Sequence, residues 1–146
     1  MTALTEMSGL EQLRMMSGFS ADVPFIGNLL GMELVEIEHG EVAFALTTRP
    51  DFANPMGNVH GGICATLLDS VMGCAVHTTL EPGESYATVD ITVNYTGSVS
   101  TAGQRLTATG RTIHVGGRIA TAEGKVVDED GRLVAHGTST CLVNRR

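Results

Sequence analysis

The sequence predicts an α+β domain in which one long helix packs against a curled antiparallel sheet. Residues 62–79 supply the first reason. Cys64, Leu67, Leu68, Val71, Met72, Ala75 and Val76 cover far more than one helical stripe, and a helix apolar on most sides is a buried helix. The second reason is the alternation of Ala87, Val89, Ile91 and Val93 with Thr88, Asp90, Thr92 and Asn94, which marks a strand over residues 85–95. The third lies in the C-terminal third of the chain. Strand-like runs at 104–115, 118–128 and 132–143 are separated by Gly116-Gly117 and by the turn signal Asp128-Glu129-Asp130-Gly131. Four strands in sequence, joined by short turns, imply an antiparallel sheet.

The remaining elements fall into order around these. Residues 4–17 read as a short helix with Met7, Leu10, Leu13 and Met16 near one face. Residues 19–31, with Pro24, Gly27 and Gly31, read as a connection. Runs at 32–38 and 41–48 flank His39-Gly40 and alternate, which is a hairpin signal. Residues 49–61 are loop, and Glu81-Pro82-Gly83 stops the long helix. The expected order is helix-β-β-helix-β-β-β-β. One helix covers only one face of such a sheet, and many strand side chains are small or Thr, so pairing through a sheet edge into a dimer is expected.

A chain of 146 residues is one domain, and 42% hydrophobic with 17% charged residues is globular rather than disordered. A net charge of -7 argues against nucleic acid or an anionic membrane as partner. Arg105, Arg111, Arg118, Lys125, Arg132, Arg145 and Arg146 lie in the last third, which leaves room for a small cationic patch toward a phosphorylated ligand. Three cysteines without a framework point to a reducing compartment. Glu6 and Glu11 near the start and the lack of a long apolar run argue against a signal peptide and a transmembrane helix, so the expected location is the cytoplasm. His39, His60, His77, His114 and His136 show no His-x3-His pair, the cysteines no Cys-x2-Cys, and no phosphate-loop or dinucleotide glycine pattern occurs. No metal or cofactor is expected.

The most informative stretch runs from Asn54 through His60-Gly61-Gly62 to Asp69. It sets a glycine pair at a helix start and a single carboxylate two turns inside. Backbone donors at a helix start stabilise developing negative charge, and a lone acid on a helix that looks buried needs a reason to be there. Its helical neighbours Ala65, Thr66 and Gly73 are small, which leaves space above the carboxylate.

These residues resemble the motif of hotdog-fold acyl-CoA thioesterases of the PaaI type: Asn54, Gly57, His60-Gly61-Gly62 and Asp69. Residues Thr88-Val89-Asp90-Ile91-Thr92-Val93-Asn94-Tyr95 resemble the family's strand after the central helix, and Gly116-Gly117-Arg118 with His136-Gly137-Thr138 its closing hairpin. The resemblance covers roughly residues 28–143. It implies a hotdog fold, one domain over 1–146 with 1–31 as N-terminal helix and connection, paired into a homodimer at minimum and a homotetramer by expectation. It also implies hydrolysis of an acyl-CoA at the dimer interface. By position Asp69 would be the catalytic acid group, as general base or nucleophile, and Gly61 the oxyanion N–H. Asn54 would orient the thioester or water, and Thr88 would assist the water. His60, Gly62, Tyr95 and the loop His114-Val115-Gly116-Gly117-Arg118 would contact substrate, Tyr95 and the loop along the CoA channel. The acyl group itself is left open.

Spacing adds a test of its own. Gly61 and Asp69 are eight residues apart, which is roughly 12 Å along a helix axis. Attack brings reacting atoms to about 3–3.5 Å. One chain can hardly supply both groups to one carbonyl, whereas a second chain can.

Each residue also has a plainer reading. Asp69 alone could be a solvent-facing helix residue. His60 is better read as a loop-holding residue than a base, Cys64 as a small buried hydrophobe than a nucleophile. Asn54 could only form a turn, Thr88 be an ordinary strand residue and Arg118 a solvated one. The rival functions are a hotdog hydratase or dehydratase using His60 with Asp69, and a non-catalytic acyl-CoA-binding domain. The first lacks the Asp-x4-His pattern of one such subgroup, and the second would want a basic DNA-binding segment that residues 1–30 do not provide.

Overall fold

The computed structural model describes residues 2–145; Arg146, counted above toward a cationic patch, lies outside the described residues. In chain order the elements are α1 (Gly9–Met16), α2 (Ile26–Leu30), β1 (Glu33–Glu38), β2 (Glu41–Thr47), α3 (Gly61–His77), β3 (Ser85–Tyr95), β4 (Arg105–Val115), β5 (Ile119–Val127) and β6 (Leu133–Asn144). The strands form one antiparallel sheet ordered β1-β2-β4-β5-β6-β3. The α+β class and the hotdog arrangement, a long helix held in the curve of the sheet, are both present.

The N-terminal helix is shorter than its apolar spacing suggested. Leu4–Glu6 is a separate 3-10 turn. Ser8 then restarts the chain as a capping box: its hydroxyl accepts the Glu11 N–H at 3.4 Å, and the Glu11 carboxylate accepts the Ser8 N–H at 2.7 Å. The connection at 19–31 contains α2, a single helical turn too short to show a periodic pattern. The loop at 49–61 holds a 3-10 turn at Pro50–Phe52.

One expectation about connectivity is corrected. Of the last four strands, only β4, β5 and β6 follow one another as neighbours. β3 pairs with β6 instead of β4, and residues 96–104 cross over to place β4 beside β2. The crossover is fixed where it meets the β5–β6 turn. Arg132 donates through Nε to Asp128 Oδ2 at 3.0 Å and through Nη2 to the Ser98 carbonyl at 2.7 Å. β3 is thereby an edge strand with one side unpaired.

Leu46, Leu67, Leu68, Val71, Met72, Leu106, Val126 and Val134 are fully buried between α3 and the concave face of the sheet. Gly110, Gly124 and Gly137 lie side by side on β4, β5 and β6, and the first two face α3. A Cβ at Gly110 would run into the Val71 backbone, and one at Gly124 would come within 3.1 Å of the Leu68 and Met72 side chains. At the other end of α3, Gly9 of α1 packs on the His77 carbonyl, with its N–H donating to the Leu80 carbonyl at 2.9 Å.

Candidate active site

The start of α3 is built by its own loop. His60 is the N-cap, and its Nδ1 accepts the Gly62 N–H at 2.8 Å. The N–H of Gly62 is thus consumed within the chain. No partner accepts the Gly61 N–H among the described residues, and as the first helical residue it has no intrahelical acceptor. Tyr95, at the far end of β3, explains why position 61 has no side chain. Its hydroxyl donates to the Gly61 carbonyl at 2.8 Å, and a Cβ on Gly61 would meet the ring at 2.9 Å. Asn54 takes the turn reading as well: its Oδ1 accepts the Met56 N–H at 2.9 Å and the Asn58 N–H at 3.2 Å, leaving its Nδ2 as a donor.

Two turns along α3, Asp69 is exposed, not buried as the apolar helix suggested. The sheet ends at β3, so the face of α3 that looks past this edge has nothing above it in the single chain. Thr88 Oγ1 donates to Asp69 Oδ1 at 3.1 Å, which ties the acid to the edge strand. The space expected beside Asp69 is partly filled: the Tyr86 hydroxyl lies 2.7 Å from the position a Cβ of Gly73 would take. Burial pushes the Tyr86 phenol up from its ordinary value, so it stays a neutral hydroxyl.

The loop at residues 114–118 lies far from Tyr95 in the same chain. Arg118 O accepts the Val143 N–H at 2.7 Å, and Asn144 pairs with Ser85 at the start of β3. Tyr95 is ten residues further along that strand, roughly 30 Å away. Within one chain the candidates therefore form two groups. Asp69, Thr88 and the 114–118 loop stand near one end of β3, and Gly61, Asn54 and Tyr95 at the other.

Arg145 has a role that its sequence position did not disclose. It donates to the Gly117 carbonyl at 2.9 Å, the Gly116 carbonyl at 2.7 Å and Glu84 Oε2 at 2.8 Å, and so holds the glycine loop in shape. Its position at the end of β6 gave no spacing signal. Arg118 has no carboxylate partner among the described residues. Cys64 is buried, and burial pushes its thiol up to about 11; a neutral core thiol is no nucleophile. No cluster of His, Cys, Asp and Glu suited to a metal ion occurs among the described residues, and no helix among them is long and apolar enough to cross a membrane.

A family model described as Thioesterase superfamily matches residues 56–135. The chain belongs to the thioesterase superfamily. The matched span holds Gly61, Asp69, Thr88, Tyr95 and the 114–118 loop, and leaves out Asn54. Relatives of this thioesterase agree in reaction class. The 1,4-dihydroxy-2-naphthoyl-CoA hydrolase of Listeria monocytogenes is 28% identical over 117 residues, covering 80% of this chain and 94% of the relative. The medium/long-chain acyl-CoA thioesterase YigI of Salmonella typhimurium is 27% identical over 140 residues, covering 86% and 88%. Among solved structures, a phenylacetic acid degradation-related protein of Ralstonia eutropha superposes with a TM-score of 0.78 at 30% identity, covering 89% of this thioesterase and 97% of that chain. Thioester hydrolysis is the reaction class of the family and of this enzyme.

Proposed function

We propose that this thioesterase hydrolyses an acyl-CoA to a free acid and CoA in a site shared by two subunits. The observation that carries the reading is the split of the candidates: an acid with its hydroxyl partner at one end of β3, an unpaired helix N–H at the other. β3 also presents an unpaired edge, with Val89 61% and Tyr95 55% exposed on it. Antiparallel pairing of two such edges about a two-fold axis brings the Thr88 end of one strand toward the Tyr95 end of the other. Each active site then has Asp69 and Thr88 from one subunit and Gly61 and Asn54 from its partner. Ile113, Ile119 and Leu142, exposed at the loop end of the sheet, support a second interface and a tetramer.

In this site Asp69 takes a proton from water as the water oxygen attacks the thioester carbon. The oxyanion forms against the Gly61 N–H and the positive end of α3. Collapse breaks the C–S bond, and CoA leaves as thiolate and takes up a proton. Thr88 orients the carboxylate, and Asn54 Nδ2 donates to the carbonyl or the water. The other role for Asp69, direct attack to give a mixed anhydride, uses the same groups. Arg118, unpaired beside the glycine loop, suits a CoA phosphate. The hydratase alternative is weakened because His60 Nδ1 is occupied as a helix cap.

Free-thiol release from a panel of acyl-CoAs tests the activity. Asp69→Asn is expected to lower kcat by about 10²–10⁴-fold. The shared site is tested by mixing. Asn54→Asp keeps the turn acceptor and removes the Nδ2 donor, so Asp69→Asn and Asn54→Asp chains are each nearly inactive. Co-refolded together, they regain about a quarter of wild-type activity, from one intact site in each mixed dimer. No regain, or a fully active monomer, refutes the two-chain site.

A further inference from the structure

A cavity of about 420 Å³ lies between α1, α2, β1 and α3 and is used by none of the residues above. Its walls are mostly apolar and flexible: Leu13 and Met16 from α1, Phe25 ahead of α2, then Met32, Leu34 and Phe44 from the adjoining sheet. Its floor is α3 itself, through Ser70 and Cys74. Ser70 follows Asp69 directly, and Cys74 lies one turn on and about 40° around the helix from Ser70. The cavity therefore opens against the same turn of α3 that carries the acid. Asp69 is also close enough to act on Cys74 electrically, adding to the burial that pushes this thiol up to about 11.

We propose that this cavity under the N-terminal segment receives the acyl tail of the substrate, and that the tail is a straight chain of medium length. The inference rests on the acyl-CoA hydrolase reading above. A thioester whose carbonyl stands at Asp69 must send its acyl group somewhere dry, and this cavity borders the residue that follows the acid. The size fits: at about 30 Å³ for each water-sized group, 420 Å³ holds roughly a dozen methylenes. The chemistry fits as well. Two methionines and two leucines adapt to a flexible chain, and no charged side chain of α1 or α3 lines the cavity. Glu33 of β1, a charged residue in the wall, is paired with Arg105 at 3.1 Å. The second cavity of similar size, on the outer face of the sheet, is lined by Arg111, Glu123, Lys125 and His136 and suits no alkyl chain.

The test is the chain-length profile of kcat/KM for saturated acyl-CoAs from acetyl to palmitoyl, with phenylacetyl-CoA alongside. Leu13→Trp and Met16→Trp each fill the cavity from α1. The wild type is expected to rise with length and level off at about ten to twelve carbons. Both variants, folded by circular dichroism, are expected to lose at least tenfold on the longer chains and to keep the acetyl-CoA rate. Asp69-dependent hydrolysis whose length profile ignores both substitutions overturns this inference and leaves the hydrolase reading standing. So does a preference for phenylacetyl-CoA over every straight chain. A changed oligomeric state with an unchanged profile assigns the cavity to a subunit contact and overturns it too. Absence of CoA release from every substrate overturns both.

Discussion

At the scale of single residues, the start of α3 shows how one position can carry a structural duty that resembles a catalytic one. A histidine beside a carboxylate motif invites a role as base. Its Nδ1 instead accepts a backbone N–H, the duty usually given to Ser, Asn or Asp. His60→Ala should therefore cost about 1 kcal/mol of stability, whereas His60→Asn should keep the cap to within a few tenths. Denaturant unfolding of the two variants checks this. If His60→Asn also keeps its kcat, the histidine is excluded as a general base. Gly61 was legible as a donor from the sequence, because a helix start always leaves N–H groups unpaired. Tyr95 as the reason for its missing side chain was not legible, since 34 residues separate them. Asp69 read as buried because the helix around it is apolar. Its exposure follows from where the sheet stops, and no local pattern encodes that.

At the scale of elements, every strand, the long helix and the presence of an N-terminal helix could be read from periodicity, and the bounds of that helix and the existence of α2 could not. α2 is one turn long and offers no period. α1 is cut from a longer apolar pattern by the Ser8–Glu11 capping box, a signal that was present in the sequence. The place of β3 was hidden for a different reason: neighbours in sequence usually pair, and only the crossover at 96–104 sends β4 away. α1 is held to the C-terminal end of α3 by Gly9 and by Gln12 Oε1, 2.9 Å from His77 Nε2. Burial lowers the His77 pKa from its ordinary 6.5. The unfolded or undocked state then binds the proton more readily. The contribution is fully present above about pH 6.5 and is lost as the pH falls through the lowered value. Protection of the α1 amides, corrected for the intrinsic exchange rate, should fall below pH 6.5 ahead of protection in β4 and β5. Equal protection of both at pH 5 contradicts this.

At the scale of the whole molecule, the single chain exposes the Asp69 carboxylate, an apolar strand edge and a patch at the loop end of the sheet. In the proposed dimer a second copy covers the edge and completes the site at once. Val89→Arg on β3 places a charge on the contact without touching Asp69 or Gly61. It is expected to lower the association constant by at least tenfold. Activity per chain should then fall on dilution in parallel with the dimer seen by sedimentation. Constant activity per chain through the transition to monomer would contradict it. The small and Thr side chains of the strands are what raised the expectation of pairing through a sheet edge. The two-site geometry came from counting residues between Gly61 and Asp69, and the distance from Tyr95 to the 114–118 loop now makes the same separation on the sheet.

The glycines Gly110 and Gly124 bear on how rigidly that site is held. Where side chains separate a helix from a sheet, they act as a cushion, and a small disturbance is absorbed by a change of rotamer. Here bare backbone meets the helix, and no such cushion exists under Val71. The elevation of α3 is set in the middle of the sheet and delivered undamped to Asp69, two residues away. A methyl group added at Gly124 comes to 3.1 Å from Leu68 Cδ2 and Met72 Cγ and to 3.3 Å from the Thr109 carbonyl oxygen, close enough to press on the helix through those two side chains. The carboxylate rides on the same turn, and a shift of about 1 Å at reacting atoms is worth about a hundredfold in rate. Gly124→Ala should thus read as a turnover defect with KM little changed, produced by a residue that touches no substrate.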